Sequence, residues 1–238
     1  MDPSANVPND EFEDLHIRQV NEYHIFSFRM NVSRSSHPVL KHKMSKIRNK
    51  ETLPAEFRKL LKDISFILAV EASSDLEIKP VQGLQSPIAS YTGVALESRI
   101  GISPILRAGI GMTDAFLDIF PEASVFYLGL FRDKALLQPV EYYQKLPEVP
   151  QVDTVFLLDP ILATGGTAIA ACNMLVNAGI RMEQIKLITV LASMPGLQAV
   201  IENCKGLQIW CGSVDQVLTN GMIVPGLGDS GDRLFNTF

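Results

Sequence analysis

Between residues 54 and 72 apolar side chains return every three to four positions, at Phe57, Leu60, Leu61, Ile64 and Leu68. That period predicts an amphipathic helix with Pro54 near its start, and its stripe reads as a core face. Beyond residue 98 the pattern changes to apolar runs of strand length: 101–106, 125–130, 154–158 and 186–192. Each is followed by a turn and usually by a helical pattern. A fifth run, 207–211, comes after the helix-like segment 197–204. Strands alternating with helices predict an α/β fold, a twisted and mainly parallel sheet flanked by helices. Residues 80–98 show neither period and read as a loop or an excursion from that core. Ligands of such sheets bind at the carboxyl ends of strands. Arg107, Arg132 and Asp159 stand at three such ends.

The most informative of these ends runs Asp159-Pro160-Ile161-Leu162-Ala163-Thr164-Gly165-Gly166-Thr167, and a helical pattern begins at Ala168. Gly165 and Gly166 let backbone approach an anion with no Cβ in the way. The free N–H groups of the first helical turn and the helix dipole favour a phosphate there. Thr164 and Thr167 add hydroxyl donors, and Asp159 is placed to accept from sugar hydroxyls. The set suits a phosphorylated ribose. It is not a P-loop, because the G-x-x-x-x-G-K-[ST] spacing and its lysine are missing.

A second constellation is Pro104-Ile-Leu-Arg107-Ala-Gly109-Ile-Gly111-Met112. A guanidinium beside glycine amides offers a planar fork of donors to a diphosphate. The Gly109-Ile-Gly111 pair also suggests a dinucleotide fingerprint with Asp133 about twenty residues on, but Asp114 occupies the third glycine's place. A third piece is Arg132 at a strand end, followed by polar residues with Tyr142 and Tyr143, as an exposed hairpin or flap would have. A fourth is the glycine-dense segment 221–232, in which the apolar Ile223, Val224 and Leu227 argue for a packed loop with exposed backbone. Backbone amides and carbonyls of that kind can match the edge of a pyrimidine.

Composition narrows the field. The chain has 238 residues, 47% hydrophobic and 20% charged, enough for one large core or a core with an accessory lobe. A net charge of −5 disfavours generic nucleic-acid binding. Cys172, Cys204 and Cys211 are scattered and read as reduced thiols of a cytoplasmic protein. All four histidines, His16, His24, His37 and His42, lie in the first 42 residues, which weakens a histidine-based hydrolase. No run approaches the ~20 apolar residues of a membrane span, and no metal-ligand spacing is present. The first twenty or so residues are acidic and polar and read as a mobile tail.

These motifs, in this order, resemble the uracil phosphoribosyltransferases, members of the type I phosphoribosyltransferases. Asp159 to Thr167 resembles the binding motif for 5-phosphoribosyl diphosphate (PRPP). Pro160 stands where many relatives carry a second acid. Pro104 to Gly109 resembles the family's pyrophosphate loop, and 221–232 its uracil-recognition loop. His37-Pro38, Lys41-His42 and Arg48 represent its N-terminal part. The resemblance runs from about His37 to Phe238 and leaves 1–36 as an N-terminal extension. Val70, Met222 and Ser230 replace residues common in relatives.

The resemblance implies a small hood or flap region beside the sheet. It also implies the reaction of uracil with PRPP to give UMP and diphosphate, in pyrimidine salvage. Arg107, Asp159 and Asp229 would be catalytic. Arg107 and Arg132 would hold the diphosphate end, Asp159 the ribose and Ala163 to Thr167 the 5′-phosphate, with Pro160, Ile161 and Leu162 also in the PRPP-binding set. Ile223, Gly228, Asp229 and Ser230 would contact uracil. Mg²⁺ would be held mostly by PRPP oxygens, with Asp229 near it. GTP activation and a homo-oligomer, dimer or tetramer, are further implications. The alternative is a catalytically silent or regulatory nucleotide-binding paralogue.

Overall fold

The computed structural model describes residues 18–19, 32–132, 139–148 and 150–237. A ten-stranded sheet runs through its centre. We number its main parallel strands β1 (Ile100–Leu106), β2 (Leu128–Arg132), β3 (Thr154–Leu158), β4 (Ile185–Ser193) and β5 (Gln208–Asp215). Their spatial order is β5-β4-β3-β1-β2, with every neighbouring pair parallel. The expected mainly parallel α/β sheet is therefore present. Val32–Arg34 adds in parallel beside β5, and Arg18–Gln19 beside that. The sheet thus draws on both sides of the boundary expected at residue 37; the rest of the extension lies outside the described residues.

Strand alternation sends successive side chains to opposite faces, and β3 shows this most clearly. Val155 and Leu157 join the core under α4 (Gly166–Asn177) and α5 (Met194–Asn203). Phe156 and Leu158 join the core under α1 (Pro38–Arg48), α2 (Pro54–Ala72) and α3 (Ile110–Ile119). Phe156 is fully buried between Phe116 and Phe120, at ring-centroid distances of 5.2 and 5.4 Å. Losing such a side chain costs about 3–5 kcal/mol. The stripe expected over 54–72 is buried on α2 as Phe57, Leu60, Leu61, Ile64 and Leu68. A short last helix, α6 (Ser230–Phe235), packs against α2.

The structure differs from the sequence pattern in two places. Residues 80–98 contain an antiparallel hairpin, Ile78–Gln85 with Ser90–Leu96. Neither of its faces is covered, so no period-2 pattern marks it, and a bulge between Val81 and Leu84 breaks the register. The run 125–130 is two pieces: Ser124–Val125 pairs with β1 before β2 begins at Leu128. After β2 the chain returns antiparallel as Pro139–Gln144, so Arg132 opens a hairpin whose tip, 133–138, lies outside the described residues. Among the described residues no helix is long and apolar enough to cross a membrane.

Candidate active site

Because β1, β2 and β3 are parallel neighbours, their last residues share one edge of the sheet. Arg107 and Asp159 therefore follow the adjoining carboxyl ends of β1 and β3, where the backbone amides of following helices also point, while Arg132 ends β2 three positions beyond Gly129, the partner of Leu106. Gly109 tightens this arrangement. A Cβ there would stand 2.4 Å from the Leu158 carbonyl oxygen, so only glycine lets the turn after β1 rest against the end of β3. Leu106–Arg107 is a cis peptide in that turn.

The loop 159–167 is built on a second set of close approaches. Asp159 donates its backbone N–H to Ile188, and the Pro160 carbonyl accepts from Val190 and Leu191. Gly165 adopts the left-handed conformation, φ 84°, which glycine takes without strain, and opens α4. The loop leans on the start of α5. Ser193 caps that helix by accepting from the Gly196 N–H at 2.9 Å, and its hydroxyl donates to the Ala163 carbonyl. A Cβ on Gly196 would sit 2.3 Å from the same carbonyl. Sequence reasoning missed Ser193 and Gly196, although Ser-x-Pro before an apolar run signals a helix start. Pro160, Leu162 and Gly165 are buried, with Leu162 in the core under α4. These members of the sequence-expected binding set shape the loop, while Thr164, Gly166 and Thr167 are partly open.

Asp159 is less exposed than a solvent-facing strand end would suggest. Burial pushes its carboxyl up to about 7, opposed only weakly by the Ile161 N–H at 3.5 Å. Desolvation disfavours the charged form.

The C-terminal segment reaches the same sheet edge through α6. Val217–Thr219 and Met222–Val224 form a small hairpin, followed by a cis Val224–Pro225 bond and the left-handed Gly226 and Gly228. Asp229 is exposed and caps α6 by accepting from the Asp232 N–H at 2.9 Å. Arg107 meets this helix. Its Nη2 lies 3.4 Å from Asp232 Oδ1, and its guanidinium stands over the Phe235 ring at 5.8 Å. The turn after β1 and the C-terminal segment are thus adjacent. Gly228 and Asp229 are exposed, Ile223 is half-buried, and Ser230 is buried beneath them. His37 caps α1, its Nδ1 accepting from the Val39 N–H at 3.2 Å.

The arrangement pairs a glycine-rich helix start with an acid, a guanidinium and a backbone-rich loop around one sheet edge. A family model for uracil phosphoribosyltransferases matches residues 34–237. The chain is 45% identical over 204 residues to the uracil phosphoribosyltransferase of Roseiflexus castenholzii, covering 85% of this chain and 97% of the relative. It is 40% identical over 208 residues to that of Campylobacter jejuni, covering 87% and 99%. A solved structure of an Aquifex aeolicus protein superposes with a TM-score of 0.77 at 37% identity, covering 85% of this chain and 96% of that one. The molecule is therefore a phosphoribosyltransferase of the type I fold. Within that class it belongs to the uracil phosphoribosyltransferase family.

Proposed function

We propose that this chain transfers the 5-phosphoribosyl group of PRPP to uracil, giving UMP and diphosphate, a pyrimidine-salvage step. The observation that carries the reading is the meeting of Arg107 with α6 at the same sheet edge as Asp159 and the Gly165–Thr167 turn. One cleft then has donors for both ends of PRPP and a loop for the base. No observation favours a silent or regulatory paralogue.

Catalysis is mainly electrostatic. Breaking the ribose C1–O bond develops positive charge on the sugar and negative charge on the diphosphate, and preorganised donors count most where that charge appears. Arg107 and Arg132 take the diphosphate end. Asp159, as its carboxylate, accepts from the ribose hydroxyls. Residues 163–167, seated on α5, hold the 5′-phosphate against the first turn of α4. Asp229 lies between sugar and base, where its charge favours the cationic ribose. Ile223, Gly228 and Ser230 define the base contact. No covalent intermediate is required.

Mg²⁺ fits this site as a passenger of PRPP. Among the described residues no three His, Cys, Asp or Glu side chains gather to hold a metal. Mg²⁺ would be held mainly by PRPP oxygens, and the exposed Asp229 is the carboxylate that would face it through water. When bound, Mg²⁺ neutralises charge on the departing diphosphate. The resemblance also supports a homo-oligomer and a GTP effector. Apolar side chains on the uncovered hairpin, among them Ile88 at 96% exposure and Val94 at 65%, are consistent with self-association. Light scattering with and without GTP tests both. For the reaction, folded protein with uracil, PRPP and Mg²⁺ is expected to form UMP, and to stop when the metal is chelated. No UMP above a no-enzyme control would return the silent paralogue.

A further inference from the structure

The base loop carries almost no side-chain chemistry of its own, so its specificity depends on how its backbone is held. The holding groups come from far away in sequence. Arg48, the last residue of α1, forms a two-pronged ion pair with Asp215 at the end of β5, with Nη1–Oδ2 and Nη2–Oδ1 both 2.7 Å. The pair closes on Gly226 from both sides. Arg48 Nη1 donates to the Gly226 carbonyl at 2.8 Å, and the Gly226 N–H donates to Asp215 Oδ2 at 3.0 Å. Ser213 Oγ accepts from Arg48 Nη2 at 3.2 Å. Gly226 is the tightest point of the loop: φ is 66°, and a Cβ would stand 2.2 Å from the Ile223 carbonyl oxygen. Fixing Gly226 therefore fixes Ile223 on one side. On the other side, Arg233 Nη1 donates to the Leu227 and Ile47 carbonyls, both at 2.7 Å, and its Nη2 to Asn49 at 2.6 Å.

We infer that the Arg48–Asp215 pair, clamping both polar groups of Gly226, is the positioning device that gives this loop its affinity and selectivity for uracil. Neither residue touches the base. Both act through Gly226 on the donor and acceptor directions of the backbone from Ile223 to Asp229. Asp215 is 8% exposed and its partner is also largely covered. Removing one charge leaves the other buried and unpaired, so the loop relaxes to satisfy it. A displacement of about 1 Å in a recognition element is enough to cost ~10²-fold. The 5′-phosphate loop and Asp159 sit on other strands and α5, so apart from the contribution of Asp229 the PRPP contacts are made away from the clamp, and PRPP binding is expected to change far less than uracil binding. The inference rests on residues 223–230 reading the base.

The test compares wild type, Arg48→Lys, Asp215→Asn and Ser213→Ala. Each is assayed for uracil and cytosine turnover, and for PRPP binding by calorimetry, which also reports folding. Arg48→Lys and Asp215→Asn are expected to raise the KM for uracil ~10-fold or more, with kcat within a few-fold. The preference over cytosine should shrink, and the Kd for PRPP should stay near wild type. Ser213→Ala removes one contact of Arg48 and is expected to move the same quantities in the same direction by less. It carries the test if either charge variant does not fold. Unchanged uracil KM and selectivity in folded variants overturn the inference, as does a parallel loss of PRPP binding. An inactive wild type would instead sink the functional reading on which it rests.

Discussion

Arg107 and Asp232 form an ion pair across 125 positions of sequence, Nη2 to Oδ1 at 3.4 Å. It joins the turn after β1 to α6. The side chains are 56% and 32% exposed, so the pair itself adds little to stability. Its value lies in where it holds the guanidinium before substrate arrives. Asp232 is kept in place by a hydrogen bond from Thr237 Oγ1 at 2.7 Å.

Replacing Arg107 therefore separates function from folding. Arg107→Ala is expected to lower kcat/KM for PRPP by ~10²–10³-fold, the cost of losing one donor to developing charge. The melting temperature should hardly move. Steady-state kinetics beside calorimetry give both numbers. Near wild-type kinetics would remove Arg107 from the diphosphate site.

Asp159 makes a pH prediction. Its folded-state pKa of about 7 lies above the ~3.9 of an unfolded aspartate, so the folded protein binds the extra proton between those values. This group's contribution to stability is present below pH ~4 and is lost as pH rises towards 7. Asp159→Asn should abolish that component, making wild type fall relative to the variant across this window in denaturant titrations. PRPP use should be impaired in the variant, because an amide is a weaker acceptor for ribose hydroxyls. Parallel stability profiles of the two proteins would contradict the burial of this carboxyl.

Gly196 offers a steric test of the phosphate loop. A methyl group 2.3 Å from the Ala163 carbonyl must push that loop away from α5. Gly196→Ala is expected to destabilise by about 1–3 kcal/mol, as overpacking does, and to raise the KM for PRPP more than that for uracil. A variant with wild-type KM for PRPP would show that the loop does not need this seat.

Uracil should be preferred to cytosine. At C4 and N3 uracil presents a carbonyl and an N–H, whereas cytosine presents an amino group and a bare nitrogen. Two reversed contacts cost about 1–3 kcal/mol each when polar groups are left unpaired. At roughly 1.4 kcal/mol per decade this gives discrimination of about 30-fold to 10⁴-fold. Equal bases competing for limiting PRPP provide the measurement. Similar yields of UMP and CMP would show that the loop does not read this edge.

Much of this was legible in the chain because the signals were local. The α2 stripe, the buried β3 run and the Gly165-Gly166 turn each lie within one element, and each has a direct physical cause. The hairpin over 78–96 was not legible, since strands without a covered face need no alternation. The enclosure of Asp159 was missed because it depends on β4 and the loop alongside, which no nearby residue reveals. Arg48 entered only through family resemblance, and Asp215 and Arg233 not at all. Their partners lie 167 and 186 positions away, at Asp215 for Arg48 and at Ile47 for Arg233. Isolated charges in sequence do not announce such pairing.

The Arg48 clamp has a consequence for how the molecule is assembled. Contacts between segments so distant in sequence must wait for long loops to close, and such contacts tend to form late. The Gly165 turn, by contrast, needs only β3, β4, α4 and the start of α5, all within residues 154–203. A half-assembled chain is therefore expected to grip phosphate before it can select a base. Turnover of uracil, unlike retention of an anion, then reports that the whole chain has reached its native arrangement.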